Sequence, residues 1–193
     1  MHAQPPRARC GLLLAPVLTL VLSACATAPA VAPDRLHAGR FVASTTQGSE
    51  RSSVSGRYSI EVRGSNQIIE LGSPIGTTLA RFEIVPGRAT VTGPQLQTET
   101  GADADALVER MFGWRLPVRG LADWVDGRPD PGRPARVTRD GDRITEIEQD
   151  GWVIRITEFF ASGQRPRLLL MERASAGPNP AVSVRIVVDD PAG

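Results

Sequence analysis

The stretch RYSIEVRGSNQIIEL, residues 57–71, decides how the chain folds. Its first half places Tyr58, Ile60 and Val62 at every second position, with hydroxyl and charged side chains between them. That is the period of a strand with one buried face and one wet face. A Gly-Ser break follows, and NQIIEL (66–71) begins the next strand. The same pattern runs outward in both directions. GRFVAST (39–45) precedes it; TLARFEIV (78–85), with Leu79 or Ala80 sharing a face with Phe82 and Ile84, and RATVTG (88–93) follow. Further on come ARVTR (135–139), RITEIEQ (143–149), WVIRITEFF (152–160), RLLLME (167–172) and VSVRIVVD (182–189). Short alternating segments joined by brief turns specify meandering antiparallel pairs.

Between the two runs of strands the period changes. TGADADALVERMFG (100–113) sets Leu107, Val108, Met111 and Phe112 at helical spacing. Thr100 with Asp103 three residues on reads as a capping box, and Gly113 as the stop. A second short helix is expected in PVRGLADWVDG (117–127), with Pro117 at its start and Val118, Leu121, Trp124 and Val125 on one side. About eleven strands with one helical insert predict a mainly β fold. The expected form is an open, half-closed antiparallel barrel whose short helical insert covers one mouth.

The beginning of the chain has a different logic. Arg7 and Arg9 precede the apolar run CGLLLAPVLTLVL (10–22), which is too short to cross a bilayer comfortably. The run ends in Leu22-Ser23-Ala24-Cys25, a match to the bacterial lipobox, in which the cysteine is acylated and the chain is cut before it. One acyl chain holds a protein marginally, whereas two or three hold it firmly. By the sorting rule of bacterial lipoproteins, Ala26 in place of Asp points to the outer membrane. The expected organisation is a leader over 1–24, a lipidated Ala/Pro-rich tether over 25–38 and a single folded domain over 39–193.

Composition narrows the function. Formal charge is +1 overall, and loss of Arg7 and Arg9 with the leader takes it two units down, to −1. No basic cluster suggests nucleic acid. Cys10 leaves with the leader and Cys25 is committed to lipid, so no disulfide is expected. Lysine is absent, which removes any phosphate loop ending in Gly-Lys-Ser/Thr. His37 is the only histidine left after cleavage, and it falls in the linker region before the first expected strand. No catalytic residue, metal site or cofactor is expected.

Two stretches remain as candidates. In LGSPIGTT (71–78) a turn at Ser73-Pro74-Ile75-Gly76 carries isoleucine where a polar residue is usual. Ile75 either folds back onto the core or forms an exposed apolar tip for lipid or a lipidated partner. The segment around Trp114, Leu116, Val118, Leu121 and Trp124 is unusually apolar. Helix packing on a sheet and a lid over an apolar cavity use the same residues, and spacing does not separate them.

The motif Gly113-x-x-Leu116-Pro117-Val118-x-x-Leu121-x-x-Trp124-x-x-Gly127-x-Pro129 resembles the signature of the LolB family of outer-membrane lipoprotein receptors. Gly39-Arg40-Phe41, Pro74-Ile75-Gly76 and Gly151-Trp152-Val153 stand in the family's order, so the resemblance spans about residues 39–173. It implies a curved open sheet with helices plugging one mouth and an apolar cavity between. It also implies a receptor, facing the periplasm from the outer membrane, that accepts lipoproteins from the carrier LolA and releases them into outer-membrane lipids. On this basis Leu107, Met111, Trp114, Leu116, Val118, Leu121, Trp124 and Trp152 are candidates for acyl cavity or lid, and Pro74, Ile75 and Gly76 for a membrane-insertion loop. The partners implied are LolA, cargo acyl chains and outer-membrane lipids, with a monomer expected and no enzymatic activity. Family members usually have an early tryptophan and a helix of several turns before the first strand, for which DRLHAGRF (34–41) leaves little room, and the tryptophan common near the end of the last strand has no counterpart in VSVRIVVDDPAG (182–193). The rival classes are an envelope-assembly or structural lipoprotein that binds protein without a lipid cavity, and an anchored hydrolase, which needs a convergent polar pocket.

Overall fold

The computed structural model describes residues 32–190, apart from Arg115, Pro117, Ser162 and Pro178 and the side chain of Phe112. The leader and Cys25 lie outside the described residues. The strands are β1 (Arg35–Gln47), β2 (Glu50–Arg63), β3 (Asn66–Gly72), β4 (Thr78–Val85), β5 (Arg88–Gly93), β6 (Leu96–Gly101), β7 (Ala135–Asp140), β8 (Arg143–Gln149), β9 (Trp152–Phe159), β10 (Pro166–Arg173) and β11 (Ala181–Val188). Between β6 and β7 stand α1 (Ala104–Phe112) and α2 (Leu121–Val125). All eleven strands form one sheet, in the order β6-β5-β4-β3-β2-β1-β11-β10-β9-β8-β7. Two meanders are therefore joined by their first and last strands, with β1 against β11 from Gly39↔Val188 to Thr46↔Ala181. The helical insert connects the two outer edges, β6 and β7, which do not pair with each other. The barrel is open along that line.

Alternation fixes the inward face. Tyr58, Ile60 and Val62 are buried, as are Ile69, Phe82, Ile84, Val91, Ile154, Leu169 and Ile186 on neighbouring strands. In β4 the inward residue is Ala80, 4% exposed, and Leu79 is 44% exposed. The outer face is laced with ion pairs, including Arg155 to Glu146 at 2.9 Å and to Glu172 at 2.6 Å, and Arg81 to Glu70. Such exposed pairs contribute little stability individually.

Three expectations need correction. The tether does not extend to residue 38, because β1 begins at Arg35 and pairs with Val62. His37 therefore sits in a strand opposite Ile60, not in a linker. Residues 100–103 do not form a capping box: Thr100 belongs to β6 and pairs with Thr90, and α1 is capped by Asp103, whose carboxylate accepts from the Ala106 N–H at 2.9 Å. β6 (LQTETG) itself escapes sequence reading because an exposed edge strand has no apolar alternation to display. Gly113 does end α1, in the left-handed region at φ 75°, with its N–H bonded to the Glu109 carbonyl.

Candidate functional site

The two helices lie at different places on the half-barrel. α2 is only five residues long, and Leu121, Ala122, Trp124 and Val125 are all buried. Its acidic side chains tie it to the start of β1. Arg35 Nη1 donates to Asp123 Oδ1 at 2.9 Å and to Asp126 Oδ2 at 2.7 Å. Gln67 Nε2, near the end of the β2–β3 hairpin, donates to the Val118 carbonyl at 3.3 Å. The insert thus closes the end of the sheet where β1 begins.

Trp124 is the pivot of that closure. It is fully buried, packs tilted against Trp152 with ring centroids 6.5 Å apart, and donates its indole N–H to Gln149 Oε1 at 2.7 Å. Gln149 is itself 3% exposed and fully engaged. Its carbonyl also accepts from Asp130 N at 2.9 Å, and its amide donates to the carbonyls of Asp130 at 2.9 Å and Arg133 at 3.0 Å. The glutamine side chain stitches α2, the 126–133 connection and β8 together.

Toward the opposite end the sheet does not fill. An apolar cavity of about 390 Å³ opens there, within the usual size of a small-ligand pocket. Phe41, Tyr58, Leu71, Phe82, Met171 and Ile186 line its wall from the sheet. Val54, Thr77, Thr78 and Leu79 line it from the strand ends, and Pro94, Gln95 and Leu96 from the β5–β6 turn. Val108, Trp114, Leu116 and Leu121 line it from the insert.

Two glycines make room for the aromatic wall. Gly56 stands directly across from Phe41, and Gly39 across from Tyr58. A Cβ on Gly56 would lie 2.1 Å from the Gly72 carbonyl oxygen and 3.0 Å from the Phe41 ring. One on Gly39 would lie 2.0 Å from the Val187 carbonyl oxygen and 3.0 Å from the Tyr58 ring. Each ring lies over the bare backbone of its cross-strand partner, which keeps it flat against the sheet and leaves the centre open. Burial, and secondarily the charge of Asp189, raises the Tyr58 pKa, so the phenol stays neutral.

Of the candidates from sequence, Trp114, Leu116 and Leu121 line the cavity. Leu107, Met111, Val118, Trp124 and Trp152, expected in the acyl cavity or its lid, do not line the cavity: they pack in the core or against it. α2 carries Trp124 into the closed end against Trp152, while Trp114, Leu116 and Leu121 face the void. Sequence reasoning missed Phe41, Tyr58, Leu71, Phe82 and Met171 as lining. Their alternation marked them as inward, but an inward face reads the same whether packed or hollow. Beside the cavity, Ser73-Pro74-Ile75-Gly76 forms a turn with the Gly76 N–H bonded to the Ser73 carbonyl at 2.9 Å. Ile75 at its tip is 92% exposed. Among the described residues there is no group of three His, Cys, Asp or Glu side chains that could hold a metal ion, and no helix long and apolar enough to cross a membrane.

An open antiparallel half-barrel, plugged at one end and hollow at the other, has a counterpart among solved structures. The structure of a LolA superfamily protein from Nitrosomonas europaea superposes with a TM-score of 0.50, at 12% sequence identity, covering 82% of this chain and 86% of that one. The family described as "Outer membrane lipoprotein LolB" matches residues 37–190. A relative from Cupriavidus pinatubonensis, named outer-membrane lipoprotein LolB, is 36% identical over 189 residues, covering 88% of this chain and 89% of its own length. Another of the same name from Cupriavidus taiwanensis is 36% identical over 199 residues, covering 95% and 97%. The chain belongs to the LolB family of outer-membrane lipoproteins.

Proposed function

We propose that the protein is an outer-membrane receptor that accepts the acyl chains of lipoproteins from the periplasmic carrier LolA and passes them into the membrane. The observation that carries this reading is the apolar cavity of about 390 Å³ between sheet and insert. Burying one methylene is worth ~0.8 kcal/mol, so an acylated residue crosses water only inside such a shelter. Transfer needs no nucleotide if each successive site holds the acyl chains more strongly than the last. Cys25 would carry the anchor that keeps the receptor at its destination, with the folded domain toward the periplasm. Pro74, Ile75 and Gly76 would present the exposed apolar tip to the bilayer as the cargo leaves.

With uptake by protein-free nanodiscs subtracted, the full chain in lipid nanodiscs should bind an S-palmitoylated peptide at least about tenfold more tightly than the same peptide without its acyl group. Equal affinity for the two would favour the rival reading of a lipoprotein that binds protein alone. Mass spectrometry of the mature N-terminus checks the anchor, which requires acyl groups on Cys25.

A further inference from the structure

The hairpin of β1 and β2 outgrows its neighbour. β3 accompanies β2 only from Arg63 to Arg57, where Gly72 is its last partner. The remaining stretch of β2, residues 50–55, pairs among the described residues with β1 alone, and all six of its residues are exposed. The two-residue turn at Gly48-Ser49 makes Gln47↔Glu50 a hydrogen-bonded pair, and alternation repeats this at Thr45↔Ser52 and Ala43↔Val54. The backbone N–H and C=O groups of Arg51, Ser53 and Ser55 therefore point to the vacant side.

This edge keeps an unbroken register, unlike the other two. The β7 edge carries Arg136 and Arg139 and a register shift at Thr138/Arg139. The β5–β6 pair has a register shift between Val91 and Gly93. Charges and irregular register keep stray strands from adding to a sheet. Along β2 the charges are confined to Glu50 and Arg51 beside the turn, and Ser52, Ser53, Val54 and Ser55 after them are small or uncharged, in an unbroken ladder with β1. The vacant edge also borders the cavity: Val54 lines it, as do Thr77 and Thr78 just past the turn that carries Ile75. That turn leaves β3 where the gap begins.

We propose that the vacant edge of β2, at Arg51, Ser53 and Ser55, binds the extended polypeptide that follows the acylated residue of a cargo lipoprotein, adding it as a strand. The inference rests on the reading of the cavity as an acyl site. An acyl chain inside it is covalently tied to a polypeptide, and Val54, 51% exposed at the cavity rim, offers that polypeptide a way out beside backbone groups that have no strand partner among the described residues. Strand addition takes its affinity from main-chain hydrogen bonds, so one edge serves cargoes of different sequence. A proline in the cargo segment removes a donor and weakens the addition.

The test uses the full chain in nanodiscs and three kinds of probe. These are an S-palmitoylated hexapeptide, the same hexapeptide N-methylated on one or the other alternating set of amides, and palmitate alone. Methylation of the set that faces the edge should weaken binding about tenfold, the loss of two or so hydrogen bonds, while methylation of the other set changes affinity less than about twofold. In the protein, Ser53→Pro removes one edge donor and the hydroxyl that accepts from Ser44 at 3.2 Å, but no backbone hydrogen bond to β1. It should weaken the palmitoylated peptide about tenfold and leave palmitate unchanged. If both methylated peptides bind as the parent does while palmitate still binds, the edge proposal is overturned and the acyl cavity stands. If neither palmitate nor the parent peptide binds, the cavity reading fails and takes this one with it. Should Ser53→Pro not fold, the methylated peptides decide alone.

Discussion

Ile75 carries the sharpest consequence of any single side chain. At 92% exposure it contributes almost nothing to the core, so Ile75→Glu should leave the melting temperature nearly unchanged, as surface substitutions do within about 0.5 kcal/mol. The same charge resists entry into a bilayer. Cargo uptake should survive and delivery into liposomes should fall; a large drop in melting temperature, or undiminished delivery, would count against the tip. Sequence left Ile75 undecided because a Pro-x-Gly turn fits an inward or an outward side chain equally well. Gln149 is the opposite case, a buried polar residue that strand alternation could not flag. Gln149→Leu strands the Trp124 indole N–H, the Asp130 N–H and two carbonyls. Urea unfolding should show a loss of about 2–4 kcal/mol, and a neutral result would contradict the role assigned to it.

The elements that matter most are β1 and α2, because their junction closes one end of the half-barrel. His37 stands in that junction, with Nε2 3.2 Å from Asp126 Oδ1 but without a hydrogen bond there. Burial holds its pKa below the ordinary 6.5; Arg35, Arg165 and Arg128 push the same way, and Asp126 opposes them. As pH falls below 6.5 the unfolded chain takes up the proton first, so stability is full above that value and is lost as pH drops toward the folded-state pKa. His37→Gln should flatten the stability profile between about pH 7 and pH 5; a profile as steep as the parent's would mean other groups govern that window. The strands of the two meanders were legible from period two, and α1 from its stripe and its glycine stop. The start of β1 was not, since Arg35 to Ala38 acquire their partners from β2. β6 was not either, since between Leu96 and Gly101 its residues are exposed and show no apolar alternation.

At the scale of the whole molecule, closure depends on β1 meeting β11, a pairing between the two ends of the domain that no local pattern announces. The hollow was equally hidden, because Phe41 and Tyr58 keep their strand periodicity whether the space above them is filled or empty. Filling that space tests what it is for. Ala43 lines the cavity and is 6% exposed, and Ala43→Phe projects a ring into a void rather than into packed atoms. The variant should keep its fold and lose affinity for a palmitoylated peptide by about tenfold or more; unchanged affinity would place the acyl chain elsewhere. The most direct measurement is covalent. A palmitoylated peptide with a diazirine near the end of its acyl chain is bound to the full chain, irradiated, and the crosslinked residues are read by mass spectrometry. Adducts are expected on the inner wall, at Phe41, Tyr58, Leu71, Phe82 or Met171. Adducts confined to the outer charged face around Glu70, Arg81, Arg155 and Glu172, or none above the level given by an unacylated diazirine peptide, would contradict it.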